Sequence, residues 1–465
     1  MNAASLTAGQ RRIVIIMVIA VVVVSAMVAG FVVTSLQSLG NLSPAATPSR
    51  EPTSRSAMPL PTPSPSPAPA PTLVFEEGIW SQVQAARLFD QIAYHVEAIR
   101  GLSPRAEVPL SFLDDSQMAT LLRRFYAGQD VEASLLPYVE LGLLPEFSPL
   151  NVRPRQVVGV YMSEQEQLYV TAGRQQNSSD DQALLAHAYV HALQDQHFDL
   201  SAMDDRAPTT DTLLAVRALV EGDAMLLTAF YRYGELTAVD WEHLSELVLQ
   251  AERPDYGRTL NSVDAWTRLQ RFPYWEGRRF AHMLFQAGGW EAINRAYIDP
   301  PRSAEQVLHP ERYVEKLDGP TQVVVPDLGP ILGEDWTVLQ QDTLGEFVIG
   351  LYLEALLPEE VAWQAAGGWD GDTFVVWGDE DADRLLVWRT IWDSTSDAAE
   401  FERALGVLIP QQNLPAWPVD PPRGLAGRWW ESSTGAVYRS RVARYVVFVH
   451  APDVALLADI VEVLP

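Results

Sequence analysis

The chain has 465 residues, with 33 basic and 60 acidic side chains and a formal net charge of −27. Such acidity repels a phosphate backbone, so nucleic acid is excluded as a general partner. Cysteine is absent, which excludes disulfides, thiol catalysis and cysteine-ligated metal. Any metal must be held by His, Asp or Glu, and the length allows two or three domains.

Residues 13–36 carry no charge, and Arg11 and Arg12 precede them. As a helix this run would rise about 36 Å, enough to cross a bilayer. The flanking arginines place residues 1–12 in the cytoplasm and the remainder outside. A cleaved signal peptide is the alternative, but its apolar core would span only roughly 7–15 residues, so an uncleaved anchor is expected. Within the following stretch, 37–72, ten prolines fall between Pro44 and Pro71. That composition predicts an extended, disordered stalk.

Globular patterning begins near residue 73. Helical spacing covers 79–99. VPLSFL at 108–113 reads as a strand and 115–142 as short helices. VVGVYMS (157–163) and QLYVT (167–171) read as a hairpin around Glu164-Gln165-Glu166. A helix capped by Ser179 or Asp180 runs to about residue 196, and further helices cover 211–232, 263–287 and 303–316. Ser303 and Gln306 fit a capping box. Beyond residue 319 the segments DTFVVWG, DRLLVWRTIWDS and VARYVVFVH read as strands, with helices at SDAAEFERALGVLI and PDVALLADIVEVL. Asp379 to Asp383 lacks the calcium-loop spacing and reads as a hairpin turn.

The chemistry lies in LLAHAYVHALQDQHFDL, 184–200. His187 and His191 stand four apart on one helical face, a spacing that lets two imidazoles bind one zinc. With eight histidines in the chain, about 0.14 such pairs arise by chance, so the pair gains weight only from its surroundings. It follows a strand hairpin. Thirty residues on, LLAVRALVEGDAMLLTAF is apolar nearly all round. Glu221 in that helix either completes a His-His-Glu set or pairs with Arg217 one turn earlier.

HAYVHALQDQHFDL resembles the HExxH segment of a gluzincin-like zinc metallopeptidase family of largely uncharacterised bacterial membrane proteins. The resemblance extends to VVGVYMSEQEQLYV, ALVEGDA, FPYWEGRRF and PPRSAEQVLHPERY, roughly residues 85–318. It implies zinc on His187, His191 and Glu221, and an α+β fold. That fold has a zincin-like domain (73–318) and a smaller C-terminal α+β domain (319–465). This sequence departs from the motif at Ala188, which stands where the general-base glutamate belongs. A methyl group cannot move the proton, and loss of a general acid–base costs about 10²–10⁴ in rate. Asp195 is expected to accept from a ligand histidine. Asp223, Glu164 and Glu166 are weaker substitutes for the missing base. The resemblance also implies a transition-state donor among Tyr274, His282, His309 and Tyr313. Met225 occupies the position of an outer-shell aspartate.

Together these features describe a single-pass bacterial membrane protein whose extracytoplasmic part is metallopeptidase-like and catalytically impaired. A peptide or protein ligand fits the retained cleft of such a scaffold. A slow or unconventional metallopeptidase and a metal-free structural surface module are the alternatives, and the sequence leaves the oligomeric state open. Protease added to intact spheroplasts should remove everything beyond about residue 73. Protection of that part, or a mature N-terminus beyond residue 25, would contradict the anchor.

Overall fold

The computed structural model describes residues 82–127, 157–171, 179–233, 262–315, 318–379, 383–412, 416–433 and 435–464. The expected anchor (13–36), the stalk (37–72) and the second half of 115–142 lie outside them. No helix among the described residues is long and apolar enough to cross a membrane.

The fold is mixed α+β, with a helical region followed by a seven-stranded antiparallel sheet. Helix α1 (Gln82–Arg100) leads to β1 (Leu110–Leu113), α2 (Asp115–Ala127), β2 (Gly159–Met162) and β3 (Gln167–Thr171). These strands form a small sheet in the order β1-β3-β2, with β2 and β3 the expected antiparallel hairpin and β1 parallel to β3. Then come α3 (Ser179–Phe198), α4 (Leu200–Arg206), α5 (Thr210–Tyr233) and α6 (Ser262–Ile298). Gly288 and Gly289 break α6, Gly289 adopting φ 63°, just past the end of the helix expected over 263–287. Two short helices follow, α7 (Ala304–Leu308) and α8 (Pro310–Val314). The single helix expected over 303–316 is divided because Pro310 cannot continue the ladder of α7. Ser303 Oγ accepts from Gln306 N at 3.3 Å, as a capping box requires, but the Gln306 side chain takes Arg302 N (2.7 Å) rather than Ser303 N.

The sheet region contains α9 (Gly329–Leu332), β4 (Thr337–Asp342), α10 (Gly345–Glu354), α11 (Glu359–Ala366), β5 (Trp369–Gly378) and β6 (Arg384–Trp392). Helix α12 (Thr395–Gln412), strands β7 (Trp417–Val419), β8 (Arg428–Ser432), β9 (Gly435–Val442) and β10 (Tyr445–Ala451), and α13 (Val454–Val463) complete it. Its strand order is β4-β5-β6-β10-β9-β8-β7. VARYVVFVH begins on the last residue of β9, turns, and continues as β10. Ala443, at φ 52°, turns the chain so that Tyr445 pairs with Val442.

Both faces of this sheet are covered. Phe374, Val376, Trp388 and Trp392 face one apolar cluster, while Val375, Trp377, Leu385 and Val387 face another that includes α13. Burial on both faces explains why β5 and β6 read as nearly continuous apolar runs. The first cluster crosses the boundary expected at 318/319, joining Leu214, Ala218 and Phe280 to Phe347, Tyr352 and Trp369.

Three helix N-termini meet at that junction, each satisfied by an aspartate from another element. Asp342 Oδ1 accepts from Thr210 N at 2.8 Å, and Asp211 Oδ1 from Ala304 N at 3.0 Å. Asp372 accepts from Leu344 N (3.1 Å) and Gly345 N (3.0 Å), and from the indoles of Trp369 (2.9 Å) and Trp388 (3.1 Å). Even so, burial pushes Asp372 up to about 6.

Helices α5 and α6 cross backbone to backbone. A Cβ added at Gly222 would overlap the Gly277 carbonyl, and one at Gly277 would overlap the Ala218 carbonyl. Neither position takes any other residue unless the helices separate. Gly277→Ala should destabilise the fold by about 1–3 kcal/mol in urea denaturation. It should also lower metal retention, because Glu221 adjoins the crossing. An unchanged midpoint would contradict the crossing.

Candidate metal centre

His187 and His191 lie one turn apart on α3, and Glu221 lies on α5, which packs beside it. Helix α3 is apolar on nearly every side, and Leu185, Ala186, Tyr189, Val190, Ala192 and Leu193 are all buried. The helix therefore has no solvent face to which it could rotate its histidines.

The structure brings the three expected ligands together. His187 Nε2 and His191 Nε2 are 3.2 Å apart, and Glu221 Oε2 lies 3.3 Å from the first and 3.5 Å from the second. The side chains of His187 and Glu221 are each 6% exposed and that of His191 13%, so His191 is the most exposed of the three. Arg217, the alternative partner of Glu221, is bonded instead to Asp204. Glu221 Oε2 receives no hydrogen bond.

The outward ring nitrogens fix the tautomers. Gln194 Nε2 donates to Val220 O (3.1 Å) and to Asp223 Oδ2 (2.9 Å), which leaves Gln194 Oε1 to face His191 Nδ1 at 2.8 Å. Nδ1 must therefore carry the proton. Thr228 Oγ1 donates its one hydrogen to Ala224 O at 2.6 Å, so it can only accept from His187 Nδ1, 3.3 Å away. Both Nε2 lone pairs point inward, towards each other and towards a carboxylate oxygen. Three electron-pair donors converge, a geometry that a proton or a metal ion at the centre stabilises. Burial works against charge on both rings. Glu221 nevertheless holds His191 above the usual histidine range, while His187 falls below it. Burial also opposes charge on Glu221, but the two histidines hold its carboxyl well below the carboxylate range. This buried group can hold a metal ion.

Ala188 is 4% exposed and belongs to the apolar cluster of Val158, Leu168 and Leu184. A Cβ placed on Gly159 of β2 would stand 3.6 Å from its methyl, so the strand passes directly over this position. Asp195 does not reach the ligand histidines. It faces β2 and Leu200, accepting from Tyr161 OH at 2.8 Å and from Leu200 N at 3.0 Å. Gln194 takes the outer role expected of Asp195. Asp223 is held by Arg100, Gln194 and Tyr297, and Glu164 and Glu166 are exposed on the hairpin turn. Tyr274 is buried in the same cluster as Ala188, and His282 is buried and held below the usual histidine range by burial and by Arg278. The hydrogen bonds of His309 and Tyr313 go to Glu346 (3.1 Å) and to Asp299 O (2.7 Å), not to the triad.

Residues 336–461 match a family described as a domain of unknown function, DUF8575. That match spans the seven-stranded sheet and leaves the triad outside it. No curated protein and no solved structure matches the chain.

A second acidic group, Glu305, Asp318 and Asp393, is gathered round one arginine. Arg312 reaches Glu305 at 2.8 Å and Asp393 at 2.9 Å, and also bonds Asp318.

Metal binding at the triad competes with protonation of His191. Because His191 is raised, its proton stabilises the metal-free fold fully below the usual histidine value, and that stability is lost as pH rises through the raised one. The melting shift produced by a divalent cation should therefore be small near pH 5 and largest near pH 8. At a hundredfold excess over Kd it should correspond to about 2.7 kcal/mol. A shift independent of pH, or one retained in His191→Ala, would place the metal elsewhere.

Proposed function

We propose that His187, His191 and Glu221 hold a zinc ion in a metallopeptidase-like site that has lost its proton-transfer group. On this reading the chain is a membrane-anchored, extracytoplasmic pseudoenzyme that binds peptide or serves a regulatory role. The triangle of 3.2, 3.3 and 3.5 Å between ligand atoms carries the proposal. Ligands 2.0–2.1 Å from a tetrahedral zinc stand about 3.3–3.4 Å from one another. Two imidazoles and one carboxylate are zinc donors, and three protein ligands are the number found in sites that keep a position open.

The surroundings support the zincin-like part of the reading. The β2–β3 hairpin precedes the ligand helix, and edge strand β2 packs on it. Zinc supplies a Lewis acid and lowers the pKa of its water. Among the described residues, those expected to carry the proton are engaged elsewhere or replaced. Ala188 fills the base position, Asp195 is committed to Tyr161 and Leu200, and Asp223 to Arg100. The charge-free run behind Arg11 and Arg12 supports the membrane anchor.

Full-length protein purified without a His tag should contain about one zinc per chain, and His191→Ala or Glu221→Ala far less. It should show no multiple-turnover peptidase activity. Ala188→Glu should gain partial activity and lose stability, because the methyl it replaces packs under Gly159. Robust cleavage by the wild type, abolished in His187→Ala, would contradict the loss of catalysis. Less than roughly a tenth of an equivalent of zinc would contradict the metal assignment.

A further inference from the structure

The last residue of α1 is tied to the metal centre. Arg100 is 1% exposed, and its guanidinium forks onto Asp223, with Nε donating to Oδ1 at 2.8 Å and Nη2 to Oδ2 at 3.1 Å. Nη2 also donates to Asn294 Oδ1 at 2.8 Å, and the group lies 4.7 Å over the Trp290 ring. Asp223 Oδ2 accepts from Tyr297 OH and from Gln194 Nε2, each at 2.9 Å, and Gln194 Oε1 accepts from His191 Nδ1 at 2.8 Å. An unbroken line of direct hydrogen bonds therefore joins Arg100 to a ligand histidine.

The line has a chemical consequence. An amide can present either its oxygen or its NH2 to a neighbour. Asp223 and Val220 O both accept, so they hold the Gln194 NH2 on their side and its oxygen towards His191. Were the amide turned over, an N–H would face His191 Nδ1. The ring proton would then move to Nε2 and block the lone pair that points into the triad. Arg100 holds Asp223 in position, and Asp223 holds Gln194. Helix α1 and the segment after it also clasp α3. Tyr189 OH donates to Glu97 Oε1 at 2.8 Å, and Gln196 Oε1 accepts from Arg105 N at 2.7 Å and Ala106 N at 3.2 Å.

We propose that α1 is a latch on the metal centre. Docking of α1 through Arg100 and metal loading at His187, His191 and Glu221 form one coupled equilibrium, and displacement of α1 releases the metal. Arg100 and Gln194 are positioning residues in this scheme. The inference rests on the reading that the triad holds zinc, and coupling of this kind is reciprocal.

Hydrogen exchange on the full-length chain in mild detergent, with zinc and after chelation, tests the latch. Zinc should slow exchange in Gln82–Arg100 at least about tenfold, and leave α13 on the sheet's other face little changed. In chelator competition, Arg100→Gln should weaken zinc about 10–100-fold. Arg423→Gln, which removes an exposed pair with Asp459 and Glu462, should leave the affinity unchanged. Zinc bound at the triad with identical α1 exchange in both states would overturn the latch alone. So would an Arg100→Gln affinity within about twofold of wild type. If Arg100→Gln does not fold, the wild-type exchange contrast decides by itself. A wild type that takes up no zinc would instead overturn the metal reading, and the latch with it.

Discussion

Two imidazole lone pairs and one carboxylate oxygen face one another across little more than 3 Å inside the protein. Water cannot screen them there, and mutual repulsion of three electron-pair donors in a low dielectric is severe unless a cation lies between. Much of the helical region follows from that demand. Helix α3 must be buried to bring the histidines inward, α5 must lie close enough to deliver Glu221, and each ring needs an acceptor on its outer side. Gln194 and Thr228 are those acceptors. The separation of α5 from its other neighbour is fixed one residue beyond Glu221, where Gly222 meets Gly277.

On the proposed reading, loss of the base and retention of the ligands are physically separable. The ligands act through their positions and lone pairs, which Ala188 does not disturb. Proton transfer needs a carboxylate that can move between water and leaving group, and among the described residues Asp195 and Asp223, the acids nearest the ligands in sequence, are both engaged. Asp223 illustrates the difference. It is close to Glu221 in sequence, yet four hydrogen bonds from Arg100, Gln194 and Tyr297 make it part of the framework. The same economy extends along the ligand helix. After the second histidine, Gln194 bonds α5, Asp195 bonds β2, Gln196 and His197 bond the segment after α1, and Phe198 stacks on Tyr297 at 4.0 Å.

The convergence of His187, His191 and Glu221 was legible because helix periodicity converts a spacing of four into a shared face, and because a lone glutamate in an apolar helix demands a partner. The outer acceptor was not. A four-residue step from His191 leads to Asp195, but that residue lies on the side of α3 that meets β2, where Tyr161 takes it; Gln194 lies on the side that meets α5. Which neighbour covers which side is a tertiary fact. The Gly222–Gly277 crossing is likewise invisible in either segment alone, as is the Arg100–Asp223 pair, 123 residues apart. In the sheet, β5, β6 and α13 stood out through their apolar runs. Strands β4, β7 and β8 did not, because β4 and β7 are exposed edges and β8 pairs with one of them, so burial imposes no clear pattern. Buried aspartates capping three helices at the junction gave no local signal, since each cap comes from another element.

X-ray absorption at the zinc edge of the loaded full-length protein tests the central claim most directly. The proposed site predicts a shell of nitrogen and oxygen alone at about 2.0–2.1 Å, with outer scattering from two imidazoles that falls to one in His191→Ala. A shell of oxygen without imidazole scattering, or a spectrum unchanged by His191→Ala, would contradict it.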